Sequence, residues 1–390
     1  MLNRPVAPIY LDYQATTPTD PRVVDAMLPW FTEHFGNPHS ADHRHGWDAA
    51  EAVDKARDQV AAAIGAKGKE IIFTSGATES NNLAIKGVAR ARRKRDGRDK
   101  VVTLATEHKC VLESANRLIE EGFEVIVLPV KPDGLVDLDL LNETLDDRTA
   151  LVSVMAANNE IGVIQPLAEI GRMARAKGVL FHSDCAQAVG KIPLGVEALN
   201  LDLVSISGHK LYGPKGVGAL YVRRRPRVPI EALMDGGGQE KGLRSGTLAP
   251  PLCVGFGQAC RIALAEMASE SERLSAMRDD FLTRVEAAVP QVVVNGSRDC
   301  RLAANLNLTF PGMEGAELLA ALDGLSVSSG SACSSGSGSY SHVLEAIGQP
   351  PGRVAASIRV AFGRFTTDEE ASSAAQILID AVERCARVRA

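Results

Sequence analysis

A lysine arrives just past a strand-like run in Ser205-Ile206-Ser207-Gly208-His209-Lys210-Leu211-Tyr212-Gly213-Pro214. An amine hemmed by apolar walls at the top of a sheet has a depressed pKa and can form a Schiff base with a carbonyl compound. Glycines at 208, 213, 216 and 218 let the backbone close around a bulky ligand. A second run, Phe181-His182-Ser183-Asp184-Cys185-Ala186-Gln187, puts an acid at the carboxyl end of a buried strand, where open α/β sheets bind ligands. Asp184 could hold a protonated ring nitrogen and Gln187 could donate to an oxygen. Read singly, Lys210 also suits a surface turn, and Asp184 also suits a helix N-cap.

Ser75-Gly76-Ala77-Thr78-Glu79 follows the strand-like Glu70–Thr74 and opens a helix. Backbone N–H groups at a helix start favour an anion, and Thr78 adds a hydroxyl. An ordinary strand-to-helix turn has the same look. Arg359, flanked by apolar residues in Ser357–Phe362, is costly to bury unless paired. Its fork suits a carboxylate, from a substrate or from a structural salt bridge. Cys333 lies in Ser328–Ser341, where eight Ser and three Gly and no charge make a flexible stretch. A solvated thiol there can ionise and meet a substrate, whereas Cys110 and Cys253 sit among apolar neighbours and read as packing. His39, His43 and His45 invite a zinc reading, but Gly36-Asn37-Pro38 argue for a loop rather than the helix such a site needs.

These residues need a frame. Strand-like runs at Glu70–Thr74, Val101–Ala105, Glu124–Val130, Ala150–Ala156, Val179–His182, Leu203–Ser207 and Gly218–Val222 alternate with helical patterns at Glu79–Arg95, Lys109–Glu121, Leu138–Leu145 and Pro166–Lys177. The alternation predicts βαβ units and a mostly parallel sheet covered on both faces. A long amphipathic helix over Pro251–Ala288 precedes a second α+β region, with strands at Gln291–Asn295, Asn305–Thr309 and Ser357–Phe362. The reading is an α/β protein with a large domain over 19–262 and a small domain built from 1–18 and 263–390.

The 390 residues carry 43 Lys and Arg against 48 Asp and Glu, a net charge of −5, which argues against nucleic acid as the main ligand. The basic run Ala89–Lys100 lacks aromatic interleaving and reads as a solvated helix end. Seven cysteines without CxxC spacing, no leader-like apolar segment and no membrane-length apolar run predict reduced thiols and a cytoplasmic location.

Several strings in one order are far more specific than any alone. Tyr10–Pro18, Gly36-Asn37-Pro38, Thr74–Glu79, Thr106-Glu107-His108, Asn158–Gly162, Ser207–Lys210, Arg244–Thr247, Ser328–Cys333 and Arg364–Thr367 stand in this chain in that sequence. Together they make it closely resemble cysteine desulfurases of the NifS/IscS type, within the class-V branch of the fold-type-I aminotransferases. The resemblance implies a seven-stranded mostly parallel sheet, pyridoxal 5′-phosphate as cofactor and L-cysteine as substrate. It implies that Lys210 carries the coenzyme, Asp184 pairs with its ring nitrogen, Gln187 with its phenolic oxygen, and His108 stacks on its ring. Ala77, Thr78, Ser207 and His209 would cradle the phosphate, joined by Thr247 from the other subunit of a homodimer. Asn159 and Arg359 would contact substrate and cofactor, with Arg359 gripping the substrate carboxylate. Cys333 would accept the sulfur as a persulfide and pass it to an acceptor protein, an iron–sulfur scaffold or another thio-carrier. No resident metal is implied, Cys333 being at most a transient iron–sulfur ligand. A selenocysteine lyase, a class-V aminotransferase and a non-catalytic platform are the competing readings.

Two departures accompany the resemblance. Cys185 stands beside Asp184, where another small residue is usual, and reads as packing. The chain ends at Ala390, soon after its last helix, where IscS-type relatives carry a scaffold-docking tail; an acceptor other than that scaffold is therefore an expectation too.

Overall fold

Alternate residues of each central strand face opposite ways, and the apolar ones fill two separate layers. The computed structural model describes residues 8–329 and 340–389. Seven strands form one sheet in the order Ile71–Thr74, Gly218–Val222, Leu203–Ser207, Leu180–Asp184, Thr149–Ser153, Lys100–Leu104 and Glu124–Leu128. Pairing is parallel throughout except at Gly218–Val222, which runs antiparallel to both neighbours. Ile71, Phe73, Val102 and Phe181 pack on one side with Val53, Val60, Ile170 and Phe256. Ile72, Val101, Leu151 and Leu203 pack on the other with Leu83, Val88, Val111 and Leu118. Helices thus cover both faces, as the near-continuous apolar strands predict.

A separate apolar core joins Leu11 to Leu274, Phe281, Leu306, Ile358, Val360 and Leu378. Its sheet pairs Asn305–Thr309 antiparallel with Ser357–Ala361 and with Val293–Val294, so that Asn307 lies opposite Arg359. One helix, Pro250–Ala288, serves both cores: residues up to Ala263 pack in the first and residues from Leu274 in the second.

Two helices are the main elements outside the predicted set. Arg44–Ala62 is a 19-residue helix, and Pro21–Met27 a shorter one. The first begins where the histidine cluster ends: His43 is its N-cap, with Nδ1 accepting from the Gly46 N–H at 3.2 Å, and His45 stacks on Phe35. No group of three or more His, Cys, Asp or Glu able to hold a metal lies among the described residues. The basic run is engaged within the molecule. Arg90 pairs with Glu121, Arg92 with Asp96 and Lys94 with Glu231, while Arg93 lies over the Phe123 ring. No helix among the described residues is long and apolar enough to cross a membrane.

The edge strand Ile71–Thr74 delivers the chain into the Ser75–Thr78 turn, and Glu240 anchors that strand. Its carboxylate takes both Arg57 Nη groups at 2.8 Å and the Phe73 N–H at 2.6 Å, almost wholly out of water. Removing one partner of such a buried pair leaves a charge uncompensated, typically at about 3–5 kcal/mol. Glu240→Ala is therefore expected to lower unfolding free energy in urea by roughly that amount. A loss below about 1 kcal/mol, the level of an exposed pair, would contradict the anchor.

Candidate active site

The carboxyl ends of Leu180–Asp184 and Leu203–Ser207, the start of the helix Ala77–Asp96 and the N-terminal strip Gln14–Thr16 enclose a cavity of about 460 Å³. Ala77, Thr78, His108, Asn159, Asp184, Gln187, Ser207, His209, Lys210 and Arg359 all line it. Residues as far apart in the chain as Gln14 and Arg359 therefore meet in one place. Thr247 is exposed and lines a neighbouring recess with Ser75, Gly216 and Arg244 instead. Cys333 lies outside the described residues.

Asp184 ends its strand as a doubly held carboxylate. Oδ2 accepts from Asn81 Nδ2 at 2.6 Å and Oδ1 from the Ala186 N–H at 2.9 Å. Asn81 sits one turn inside the helix Ala77–Asp96, fully buried, and its Nδ2 also reaches Cys110 Sγ at 3.1 Å. His108 caps the helix Lys109–Ile119, its Nδ1 accepting from the Cys110 N–H at 3.2 Å and lying 3.0 Å from Cys110 Sγ. Sequence reasoning placed Cys110 among packing thiols, yet it lines the cavity, whereas Cys185 is buried in the sheet core with its thiol pushed up to about 12 by burial.

The strip Gln14–Thr17 supplies the opposite wall. Lys210 Nζ donates to the carbonyls of Gln14 and Ala15, each at 2.6 Å. His209 Nδ1 is 3.1 Å from Thr16 Oγ1 and its carbonyl accepts from Thr17. Burial, with Lys210 and Lys215 nearby, pulls His209 down to about 4, so it is neutral at physiological pH. His182, on the same strand as Asp184, is fully buried between Ser153 and Ser205 hydroxyls and pulled by burial to about 3.

Arg359 is almost completely buried. Its Nη2 donates to Asp12 Oδ1 at 2.5 Å and Nη1 to the Asn159 carbonyl at 2.8 Å, while Nε has no partner among the described residues. A structural ion pair and cavity exposure thus coexist at one guanidinium.

Three features fit a coenzyme with a phosphate, a basic ring nitrogen and an aldehyde. The N–H groups of Ala77 and Thr78, at the start of a 20-residue helix, have no intrahelical partner and suit an anion. The held carboxylate of Asp184 suits a protonated ring nitrogen. Lys210 supplies the amine on the facing wall.

The family profile for class-V aminotransferases matches residues 9–373. The chain belongs to the class-V aminotransferase family. A relative from Rickettsia bellii, described as cysteine desulfurase IscS, is 52% identical over 383 residues, covering 98% of this chain and 93% of that protein. A solved NifS-like protein superposes with a TM-score of 0.89 at 36% identity, covering 97% of this chain and all of that one. A structure described as SspA in complex with cysteine gives 0.81 at 37% identity, covering 92% and 99%. As in other class-V aminotransferases, the cofactor is pyridoxal 5′-phosphate.

One further acid stands behind the site. Glu107 is fully buried, with Oε1 accepting from the Met155 N–H at 2.6 Å and Oε2 without a partner among the described residues. Burial, with Asp184 nearby, raises it well above the ordinary carboxyl range. The folded state therefore holds this proton more tightly than an unfolded chain, which releases it at about pH 4.3. This contribution to stability is therefore present at low pH and lost as pH rises toward the folded value. Glu107→Gln is expected to gain stability relative to wild type as pH is raised from 4 to 8 in urea titrations. A difference that stays constant across that range would contradict a neutral Glu107.

Proposed function

We propose that this protein is a cysteine desulfurase that moves sulfur from L-cysteine onto Cys333 and releases L-alanine. The observation carrying this reading is the single cavity shared by Lys210, Asp184 and Arg359, together with the cysteine desulfurase relative at 52% identity. Bound pyridoxal phosphate supplies an electron sink for the substrate carbon. The chain's own residues do the rest. The helix start at Ala77 and Thr78, with Ser207 and His209, holds the phosphate. Asp184 keeps the ring nitrogen protonated, Gln187 donates to the phenolic oxygen, and His108 lies against the ring. Arg359 and Asn159 orient the substrate carboxylate. The Lys210 amine takes the proton from the substrate Cα as general base and returns it later. The Cys333 thiolate attacks the substrate sulfur: an S–S bond forms, the substrate C–S bond breaks, and a proton replaces sulfur on the carbon. The products are L-alanine and a Cys333 persulfide, a reversible cap that an acceptor thiol can remove.

The coenzyme would sit on residues 19–262, with 1–18 and 263–390 forming the smaller unit. A homodimer is the working assembly in this reading, with Thr247 reaching the partner's phosphate. Leu28, Phe31, Phe35 and Trp47 support it: between 56% and 68% of each is exposed, clustered in one short segment. Such concentration marks an interaction surface. The acceptor is a thiol-bearing protein of iron–sulfur or other thio-cofactor assembly in the cytoplasm, and the described cysteines are all free thiols, as a reducing compartment requires.

Mass spectrometry after incubation with cysteine is expected to find one extra sulfur on the Cys333 peptide, and Cys333→Ala to form alanine at a small fraction of the wild-type rate. Wild-type turnover in that variant would rule out this nucleophile. Lys210→Ala is expected to lose the visible absorbance of the coenzyme-loaded protein. Light scattering should give twice the chain mass, and Phe31→Glu with Trp47→Glu should shift it toward the monomer; a monomeric wild type would remove the shared-site proposal.

A further inference from the structure

The side chain of Gln187 is held at both ends. Its Nε2 donates to the Gln14 carbonyl at 2.9 Å, and its Oε1 accepts from Lys191 Nζ at 2.8 Å. A main-chain carbonyl only accepts, and a lysine Nζ has hydrogens to donate both as ammonium and as amine. The two ends of this amide are thereby told apart by chemistry, with the NH2 group on the Gln14 side. The same carbonyl takes Lys210 Nζ at 2.6 Å, so the NH2 of Gln187 and the amine of Lys210 converge on one oxygen at the cavity wall. An amide NH2 carries two hydrogens, and one remains after Gln14 is served.

Lys191 itself stands behind the wall. It follows Asp184 in the tight turn 185–192, where the N–H groups of Lys191 and Ile192 both donate to the Ala188 carbonyl. It lines a separate small cavity of about 40 Å³ with Gln14, Glu270 and Asn305 rather than the main one.

We propose that Lys191 is a positioning residue for the coenzyme: by occupying Gln187 Oε1, it commits the Gln187 NH2 to donate toward the coenzyme's phenolic oxygen. This rests on the pyridoxal-phosphate reading above. Without Lys191 only the Gln14 carbonyl selects this orientation, and the amide turns over more readily, setting its own oxygen against the coenzyme's oxygen. Burial first, then the charge of Lys210, lowers Lys191 to about 7; Glu270 acts in the opposite sense and Arg359 in the same one. Whether as ammonium or amine, Lys191 can donate to Oε1 and lock the amide.

The test uses full-length protein loaded with pyridoxal phosphate. Lys191→Met is expected to raise the coenzyme dissociation constant about tenfold and to move the pH midpoint of the visible absorbance upward by about one unit, the loss of one charge-assisted donor. Lys191→Arg, which keeps the donor, should restore most of both. In a Gln187→Ala background, Lys191→Met should add nothing to either. Should Lys191→Met not fold, Lys191→Leu, which likewise has no donor, supports the same comparison. An unchanged midpoint in Lys191→Met, or a shift that persists in full without Gln187, overturns the proposal. A wild type that takes up no coenzyme fells the underlying reading and this one with it. A wild type that binds normally beside an unaltered Lys191→Met fells this one alone.

Discussion

A carboxylate held at the end of a parallel strand organises this molecule. Asp184 is nearly buried, and an anion there is unfavourable unless donors surround it. Asn81 and the Ala186 N–H provide two, and both are fixed by secondary structure: one by a helix, the other by the turn leaving the strand. In the reading proposed above, the coenzyme's protonated ring nitrogen would be the cation that completes the arrangement. The neighbouring Glu107 shows the complementary solution. With a single backbone donor, its carboxyl is pushed by burial well above the ordinary range.

Much of this was legible in the sequence. The strand order of chemistry, TSGATE after an apolar run, HSDCAQ after another and SGHK after a third, places each motif at a carboxyl strand end before any coordinate is known. What escaped has physical causes. Arg44–Ala62 is rich in Ala and charged residues, and its moderate apolar stripe starts beside a histidine run that follows Gly36-Asn37-Pro38 and reads as loop. Asn81 and Glu107 act through buried hydrogen bonds to Asp184 and Met155, far away in sequence, which local patterning does not register. Cys110 has apolar neighbours in sequence yet lines the cavity, because a helix start turns one face inward and the other toward the pocket.

Two apolar cores share one 39-residue helix, and the strip before Pro18 crosses between them. Leu11 packs in the second core, while Gln14 and Ala15 carbonyls reach Lys210 in the first. Asp12, between these anchors, meets Arg359 from the second sheet. Any shift of the smaller core relative to the larger is therefore felt at once by the amine, by the guanidinium and by the amide of Gln187, which all lean on the same short segment. Site geometry and inter-core packing are one mechanical problem here.

The anchoring of the edge strand has a colloidal side. An outer strand offers unpaired backbone donors to any extended peptide it meets, and nascent or crowded chains are full of such peptides. At Phe73 that donor is already taken by the Glu240 carboxylate, which is itself neutralised by Arg57. Glu240 therefore leaves one donor fewer at the rim of the sheet for a foreign strand to pair with.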